Sequence, residues 1–248
     1  MPRVLVTGGG TIAPIDDVRY IANFSTGRFA AEISEACLER GAEVWHIAPP
    51  HAARPWVRQA AFDLDCAPGA VDAEIQRLRT LRDRRAATRD RLHDERLPRG
   101  TVREYAERVE LILRSQSIDI AFLAAAVSDY EPIPQTGKIR SNAETLTIEC
   151  RATLKIIRGV KTWAPNVLLV GFKLLSGVAR DELIQVAAAA NEVNRADLTV
   201  ANDLADIRDG RHAIHLVRSN GPVETIGPPE PLAERLVERV FEQAARHR

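Results

Sequence analysis

An α/β fold with a doubly wound, mostly parallel, Rossmann-like sheet is predicted by three features of this sequence. Apolar runs of strand length alternate with helical stretches, a glycine cluster directly follows the first run, and two late runs flank Asn220-Gly221, a hairpin signal. The 248 residues suit a single domain, 1–248, and at 45% apolar they can fill a sizeable core.

"RVLVT" (Arg3–Thr7) is a β-branched run stopped by glycines, the pattern of a buried parallel strand. A helix capped by Ser25 or Thr26 is expected to run to about Arg40, with Ile33, Cys37 and neighbouring alanines facing inward. Gly41 ends it, and "EVWHIAP" (Glu43–Pro49) forms the second strand. Further strands are expected at Ile118–Val127, Val167–Phe172 and Leu198–Asn202, with an alanine-rich helix at Arg180–Asn194 between the last two. "AIHLVRS" and "PVETI" make a C-terminal antiparallel hairpin, and an amphipathic helix covers Pro231–Ala245.

One segment breaks this alternation. From Asp72 to Ser117 the chain is charged, and Arg77–Arg99 holds nine arginines against four acids. It lacks the interleaved aromatics of a nucleic-acid surface, so a solvated helical insertion is expected instead. Lys+Arg and Asp+Glu both total 34, so no net charge steers the protein toward nucleic acid or anionic lipid. Cys37, Cys66 and Cys150 have no paired spacing and are expected as reduced thiols. No charged leader with an apolar core is seen, and no uncharged apolar run approaches ~18 residues. A cytoplasmic protein with no membrane span is expected.

The glycines imitate a dinucleotide fingerprint, Gly8-x-Gly10-x-x-Ala13, but fail both of its context tests. Pro14 arrives where the helix should be starting, and the second strand ends "HIAPP", without an acid for a ribose. What remains is a glycine turn and a late helix start at Asn23–Gly27, whose backbone N–H groups suit a polyanion such as a nucleoside triphosphate. The plain alternative is a strand–loop–helix connection whose glycines serve tight turns. The lysines add to this. Only Lys138, Lys155, Lys161 and Lys173 occur among the 34 basic residues, all in one segment. A compact ammonium retained against an arginine bias suggests a site for it. Lys155 and Lys161 are expected on a solvated helix face, whereas Lys138 and Lys173 follow strand ends, where α/β ligands bind.

Taken in order, "VLVTGGGTIAPIDDVRYIANFSTGR", "AAAVSDYEP", "GKIRSN", "KTWAPNVLLVGFKL" and "LTVAND" resemble the phosphopantothenate–cysteine ligases of coenzyme A biosynthesis. "NFSTGR", "KTWAP" and "GFKL" are closer to the stand-alone eukaryotic form. The resemblance implies a ligase joining L-cysteine to 4′-phosphopantothenate through an acyl-nucleotide, with ATP or CTP as co-substrate and Mg²⁺ as cofactor. It implies that Gly9, Ser25 and Gly27 contact the triphosphate, with Phe172, Lys173 and Asn202 also on the nucleotide. Ala125, Ala126 and Asp129 would bind phosphopantothenate, Asn23 would orient the reacting acyl group, and Lys138 would stabilise its charge. Arg19 would reach the phosphopantothenate of a neighbouring subunit, implying a homodimer.

Departures from the family pattern are Ala13 for a glutamate, Ala30 for a frequent glycine and Leu154 for a proline. Ala190 and Asn194 stand near positions where bacterial members carry lysines. Two other readings stay open at this point. One is a nicotinamide- or flavin-dependent Rossmann oxidoreductase, and the other a non-catalytic nucleotide-binding module.

Overall fold

Strand β1 (Arg3–Thr7) is followed by a hairpin of β2 (Ile12–Pro14) and β3 (Tyr20–Ala22), then α1 (Arg28–Glu39) and β4 (Glu43–Ala48). Helix α2 (Val71–Thr88), β5 (Leu92–Arg96) and α3 (Val102–Ser115) lead to β6 (Ile120–Leu123). A second hairpin pairs β7 (Tyr130–Pro132) with β8 (Cys150–Ala152), and α4 (Val160–Trp163) follows. Next come β9 (Leu168–Leu175), α5 (Arg180–Asn194), β10 (Leu198–Asp203) and α6 (Leu204–Arg208). Strands β11 (Ile214–Arg218) and β12 (Glu224–Ile226) and helix α7 (Leu232–Arg246) complete the chain. This computed structural model describes residues 1–140, 142, 144–219 and 221–246.

One eight-stranded sheet, ordered β12-β11-β10-β9-β6-β1-β4-β5, organises the molecule. The strands from β5 to β10 pair in parallel, while β11 and β12 are antiparallel additions at the far edge. The chain winds outward from β1 to β5, then returns to β6 and winds the other way. The strand order therefore reverses between β1 and β6, which opens a crevice beyond their C-terminal ends.

Alternation along the strands builds both cores. Val4 and Val6 face Ile33 and Cys37 of α1 and Leu236 and Val240 of α7. Leu5 faces the other way, toward Tyr105, Val109 and Ile112 of α3 and Val160 of α4. Helix α5 covers that same side of β10 with Leu183 and Ala187 against Ala201. Helices thus lie on both faces, the doubly wound arrangement that the strand and helix alternation predicts.

Several local expectations need correction. Helix α1 is not capped by Ser25 or Thr26. Its N-cap is Gly27, left-handed at φ 73°, with no side-chain cap. The late helix start has a cause that the sequence pattern hid, because Pro14 ends an antiparallel hairpin strand, β2. The strand expected over Ile118–Val127 is only Ile120–Leu123. Asn220 of the C-terminal turn lies outside the described residues, although β11 and β12 pair antiparallel as expected.

The charged segment is helical at both ends, in α2 and α3, but Leu92–Arg96 between them is the parallel edge strand β5. Its arginines are partly structural. Arg91 Nη1 donates to the carbonyls of Leu38 and Ala42 at 2.8 and 2.9 Å, closing the end of α1. Arg77 likewise donates to the carbonyls of Gln59 and Ala61. Helix α3 starts from a capping box, Thr101 with Glu104, and buries its inner face in the core.

His46 on β4 is fully buried with its Nδ1 2.8 Å from Ser34 Oγ. Burial, followed by the nearby Arg54 charge, pushes its pKa down to about 4. The unfolded chain therefore binds this proton between about pH 6.5 and 4 while the folded chain does not. Stability conferred by neutral His46 is present above that window and is lost as pH falls through it. We expect urea melts to lose about 2 kcal/mol between pH 7 and pH 5, and His46→Gln to flatten that slope. An unchanged slope in the variant would refute the assignment.

Candidate active site

The glycine loop packs closely against its neighbours. A side chain on Gly9 (φ 78°) would stand 2.6 Å from Ala52 Cβ and 2.9 Å from Pro49, and one on Gly27 would meet Ala52 at 3.0 Å. On Gly8 it would sit 2.4 Å from Ala30 Cβ, and on Gly10 only 2.2 Å from the Asn23 carbonyl. The glycine character of this loop therefore answers first to close packing of the segment after β4 and of α1. The segment after β4 is itself pinned. Trp56, at φ 63°, donates its backbone N–H to Glu35 Oε1 at 2.7 Å and its indole N–H to Thr88 Oγ1 at 3.1 Å. Ala30, one of the family departures, fits against Gly8 because Gly8 has no side chain.

Beyond β1 and β6 the two exits are stitched together. Ala126 donates to the Gly9 carbonyl at 2.9 Å, and Thr11 donates to that of Ala126 at 3.1 Å. Two threonines beside the glycines hold the alanine segment: Ala125 N–H donates to Thr7 Oγ1 and Ser128 N–H to Thr11 Oγ1. Behind Thr7 lies the buried Tyr105 hydroxyl, 3.1 Å away, its pKa pushed up to about 12 by burial. Asn23 Nδ2 reaches across to the Val127 carbonyl at 3.0 Å. The glycine loop, Asn23 and the Ala125–Ser128 segment thus form one rigid floor.

Beside this floor, at the C-terminal ends of β6 and β9, opens a cavity of about 440 Å³. It gathers four expected site residues from distant segments: Ala125, Asp129, Phe172 and Lys173. Ala190 and Asn194 of α5 form part of its wall, and Leu154, 80% exposed, stands at its rim. A hollow of about 590 Å³ lined by Asp119, Lys161 and Asp197 lies at the opposite, N-terminal ends of the strands, away from the switch point.

The expected residues are not all brought together. Lys173 is half-buried in the cavity, but Lys138 is exposed and does not line it. Phe172 packs edge-to-face on Phe29, with centroids 6.3 Å apart, and Phe29 in turn meets His212. Asn202 Nδ2 lies 3.4 Å from His212 Nε2 on that same side of the sheet. Two lysines expected on a solvated helix face have partners. Lys161 donates to Asp197 Oδ2 and to the Val167 carbonyl at 2.7 and 2.6 Å, whereas Lys155 pairs with Asp129 at the cavity. Thr7, Thr11, Tyr105 and His212 were invisible to sequence reasoning, since nothing local marks them.

Arg19 and Lys138 belong to a separate clip. The buried Asp16 carboxylate accepts from the backbone N–H groups of Val18, Arg19 and Ile139, and it pairs with Arg19 Nη1 at 3.2 Å. Arg19 Nη2 donates to the Ile139 carbonyl, and Asp17 Oδ2 accepts from Gly137 N–H. Burial pushes the Asp16 carboxyl up, but these N–H donors and the Arg19 charge outweigh it and hold it below the usual range. The clip is therefore charged at neutral pH and loosens only on acidification. Ser141, within the "GKIRSN" motif, lies outside the described residues.

The model of one known family, the DNA/pantothenate metabolism flavoprotein C-terminal domain, matches residues 2–77 and 94–243. This chain belongs to that family. The unmatched gap falls on the end of α2 and the start of β5, inside the arginine-rich stretch. Phosphopantothenate–cysteine ligase 2 of Oryza sativa is 30% identical over 98% of this chain and 80% of its own length. The bifunctional coenzyme A biosynthesis protein CoaBC of Thermococcus kodakarensis is 32% identical over 87% of this chain. The match spans only 44% of that bifunctional relative.

Among solved structures, the DNA/pantothenate metabolism flavoprotein from Streptococcus pneumoniae superposes with a TM-score of 0.75 at 26% identity, covering 100% of both chains. A structure of Cab2 in complex with phosphopantothenate-cysteine, 22% identical, has a TM-score of 0.81 over 99% of this chain and 87% of that one, and so shares the fold. Nothing in these comparisons supports the nicotinamide- or flavin-dependent oxidoreductase alternative.

Proposed function

We propose that this chain is a phosphopantothenate–cysteine ligase, joining L-cysteine to 4′-phosphopantothenate through an acyl-nucleotide. One observation carries the reading most. The cavity beside the reversal of strand order collects Ala125 and Asp129 from one motif and Phe172 and Lys173 from another, more than forty residues further on. The full-length likeness to the Oryza sativa ligase supports it.

The reaction requires a carboxylate and an α-phosphate to meet in line. In this reading the Ala125–Asp129 segment is where both substrates meet, with Phe172, Lys173 and Asn202 serving the nucleotide. Ser25 and the backbone N–H groups of Gly9 and Gly27 offer donors to phosphate oxygens beside the floor. The substrate carboxylate attacks the α-phosphate and pyrophosphate leaves. The cysteine amine then attacks the acyl carbon and displaces the nucleoside monophosphate. Asn23, fixed by the Val127 carbonyl, orients the acyl group, and Lys138 counters its developing charge.

Mg²⁺, carried on the nucleotide, would supply charge neutralisation at the phosphate oxygens and needs only one or two protein carboxylates. Asp129 is the one carboxylate lining the cavity among the described residues, and Lys155 already pairs with it. No cluster of three or more His, Cys, Asp or Glu is found among the described residues, so the ion would arrive with its nucleotide.

A homodimer belongs to the same proposal. The two hairpins, β2–β3 and β7–β8, pack together and leave Tyr20, Phe24 and Tyr130 exposed at 58%, 93% and 63%. A second copy would cover such a patch. No helix among the described residues is long and apolar enough to cross a membrane, and the cysteines are unpaired, which suits a cytoplasmic location.

The deciding assay measures pyrophosphate release with ATP and CTP side by side. Release requiring both phosphopantothenate and a nucleotide, with product formed on adding cysteine, is the expected result. Nucleotide bound without pyrophosphate release would favour the non-catalytic binding module instead.

A further inference from the structure

The cavity holds three cations and one carboxylate, Lys155, Arg158, Lys173 and Asp129. Lys155 and Asp129 neutralise each other as an ion pair. Lys173 and Arg158 make no side-chain hydrogen bond or ion pair among the described residues. Lys173 is a half-buried residue on the central strand β9. A cation there without a protein partner is available to an arriving anion.

A short turn brings Arg158 to the same cavity. Residues Ile156–Gly159 form a short 3₁₀ turn whose Ile156 is buried against the α3 side of the sheet. That turn rests on β9 at Gly171, where an added Cβ would come within 3.3 Å of Ile157 Cδ1. Gly171 and Lys173 point to the same face of β9, two residues apart. The missing side chain at Gly171 thus lets the turn approach, and the turn carries Arg158 to the cavity that Lys173 lines. Opposite, α5 presents only Val186, Ala189, Ala190, Val193 and Asn194, an uncharged wall.

We propose that Arg158 is a nucleotide-binding residue, gripping the polyphosphate of the nucleoside triphosphate together with Lys173. This rests on the ligase reading for the identity of the reaction, but not for the binding itself. A polyphosphate fits better than the monophosphate of the other substrate. Two separate free cations face an uncharged wall, which accommodates a base and ribose next to the charged groups. Guanidinium also grips phosphate oxygens in pairs, which an ammonium does not.

The test is calorimetric binding, without cysteine, of a non-hydrolysable ATP or CTP analogue with Mg²⁺, and separately of phosphopantothenate. Arg158→Ala should weaken the nucleotide by about tenfold to a hundredfold, the range of a lost charge-assisted bond. Arg158→Lys should recover part of that, and phosphopantothenate affinity should stay within about twofold. Arg158 is exposed on its turn and partnerless, so the variant should melt like the parent. Unchanged nucleotide affinity in Arg158→Ala, or a loss falling on phosphopantothenate instead, overturns the proposal. A parent that binds nucleotide but releases no pyrophosphate would sink the ligase reading, while a weakened Arg158→Ala would still sustain this one.

Discussion

Replacing Lys138 by alanine is expected to slow turnover about a hundredfold while leaving nucleotide affinity nearly intact. The magnitude is that of a preorganised cation facing charge that develops only in the transition state, ~3 kcal/mol of barrier. The structure offers Lys138 little other employment. It is exposed, makes no ion pair among the described residues, and adds nothing to either core. Its flanks, by contrast, are anchored. Gly137 turns at φ 80°, and Ile139 donates to Asp16 Oδ2 at 3.0 Å. A free ammonium on an anchored loop suits a group that meets its partner only in the loaded site. Lys138→Arg should restore activity only in part, because the guanidinium is bulkier and forked. Single-turnover and steady-state rates, read with nucleotide binding, separate the roles. Turnover within about twofold of the parent would eliminate Lys138 from the chemistry.

How far the fold could be read beforehand depended on burial. Val4–Val6 and Leu198–Val200 are buried on both faces, so they appear as continuous apolar runs and were legible. Helix α5 begins and ends where its sequence pattern predicts. Strand β5, "LHDER", was not legible, because an edge strand with half-exposed positions reads as charged helix. The hairpin of β2 and β3 was hidden for a similar reason, its three-residue strands being too short to show alternation. In the site, the resemblance named Ala125, Asp129, Phe172 and Lys173, and the fold brings these four to one cavity. Arg158 was not legible because only the crossing of a 3₁₀ turn over Gly171 brings it there. Lys155 looked solvated because its partner, Asp129, is 26 residues away.

The clip around Asp16 also settles what to expect of subunit crossing. The resemblance implied that Arg19 reaches the phosphopantothenate of a neighbouring subunit. Asp16, however, binds the guanidinium of Arg19 and the backbone of Ile139 at once, and Arg19 bonds the Ile139 carbonyl. We therefore expect Arg19 and Lys138 to serve the same site. If that site belongs to the partner subunit, co-refolding Arg19→Ala with Lys138→Ala should restore nothing, because every donated clip carries one lesion. A second mixture gives the positive result. Combine a chain carrying both Arg19→Ala and Lys138→Ala with one carrying Asp129→Ala, whose lesion lies in the cavity. In each mixed dimer one cavity is intact and receives an intact clip, while the other is damaged twice. With random assortment half the dimers are mixed, so about a quarter of parental activity should return. If the clip instead serves its own chain, no site in the second mixture is whole and no activity returns. If Arg19 crosses alone, the first mixture recovers about a quarter and the single-unit reading fails.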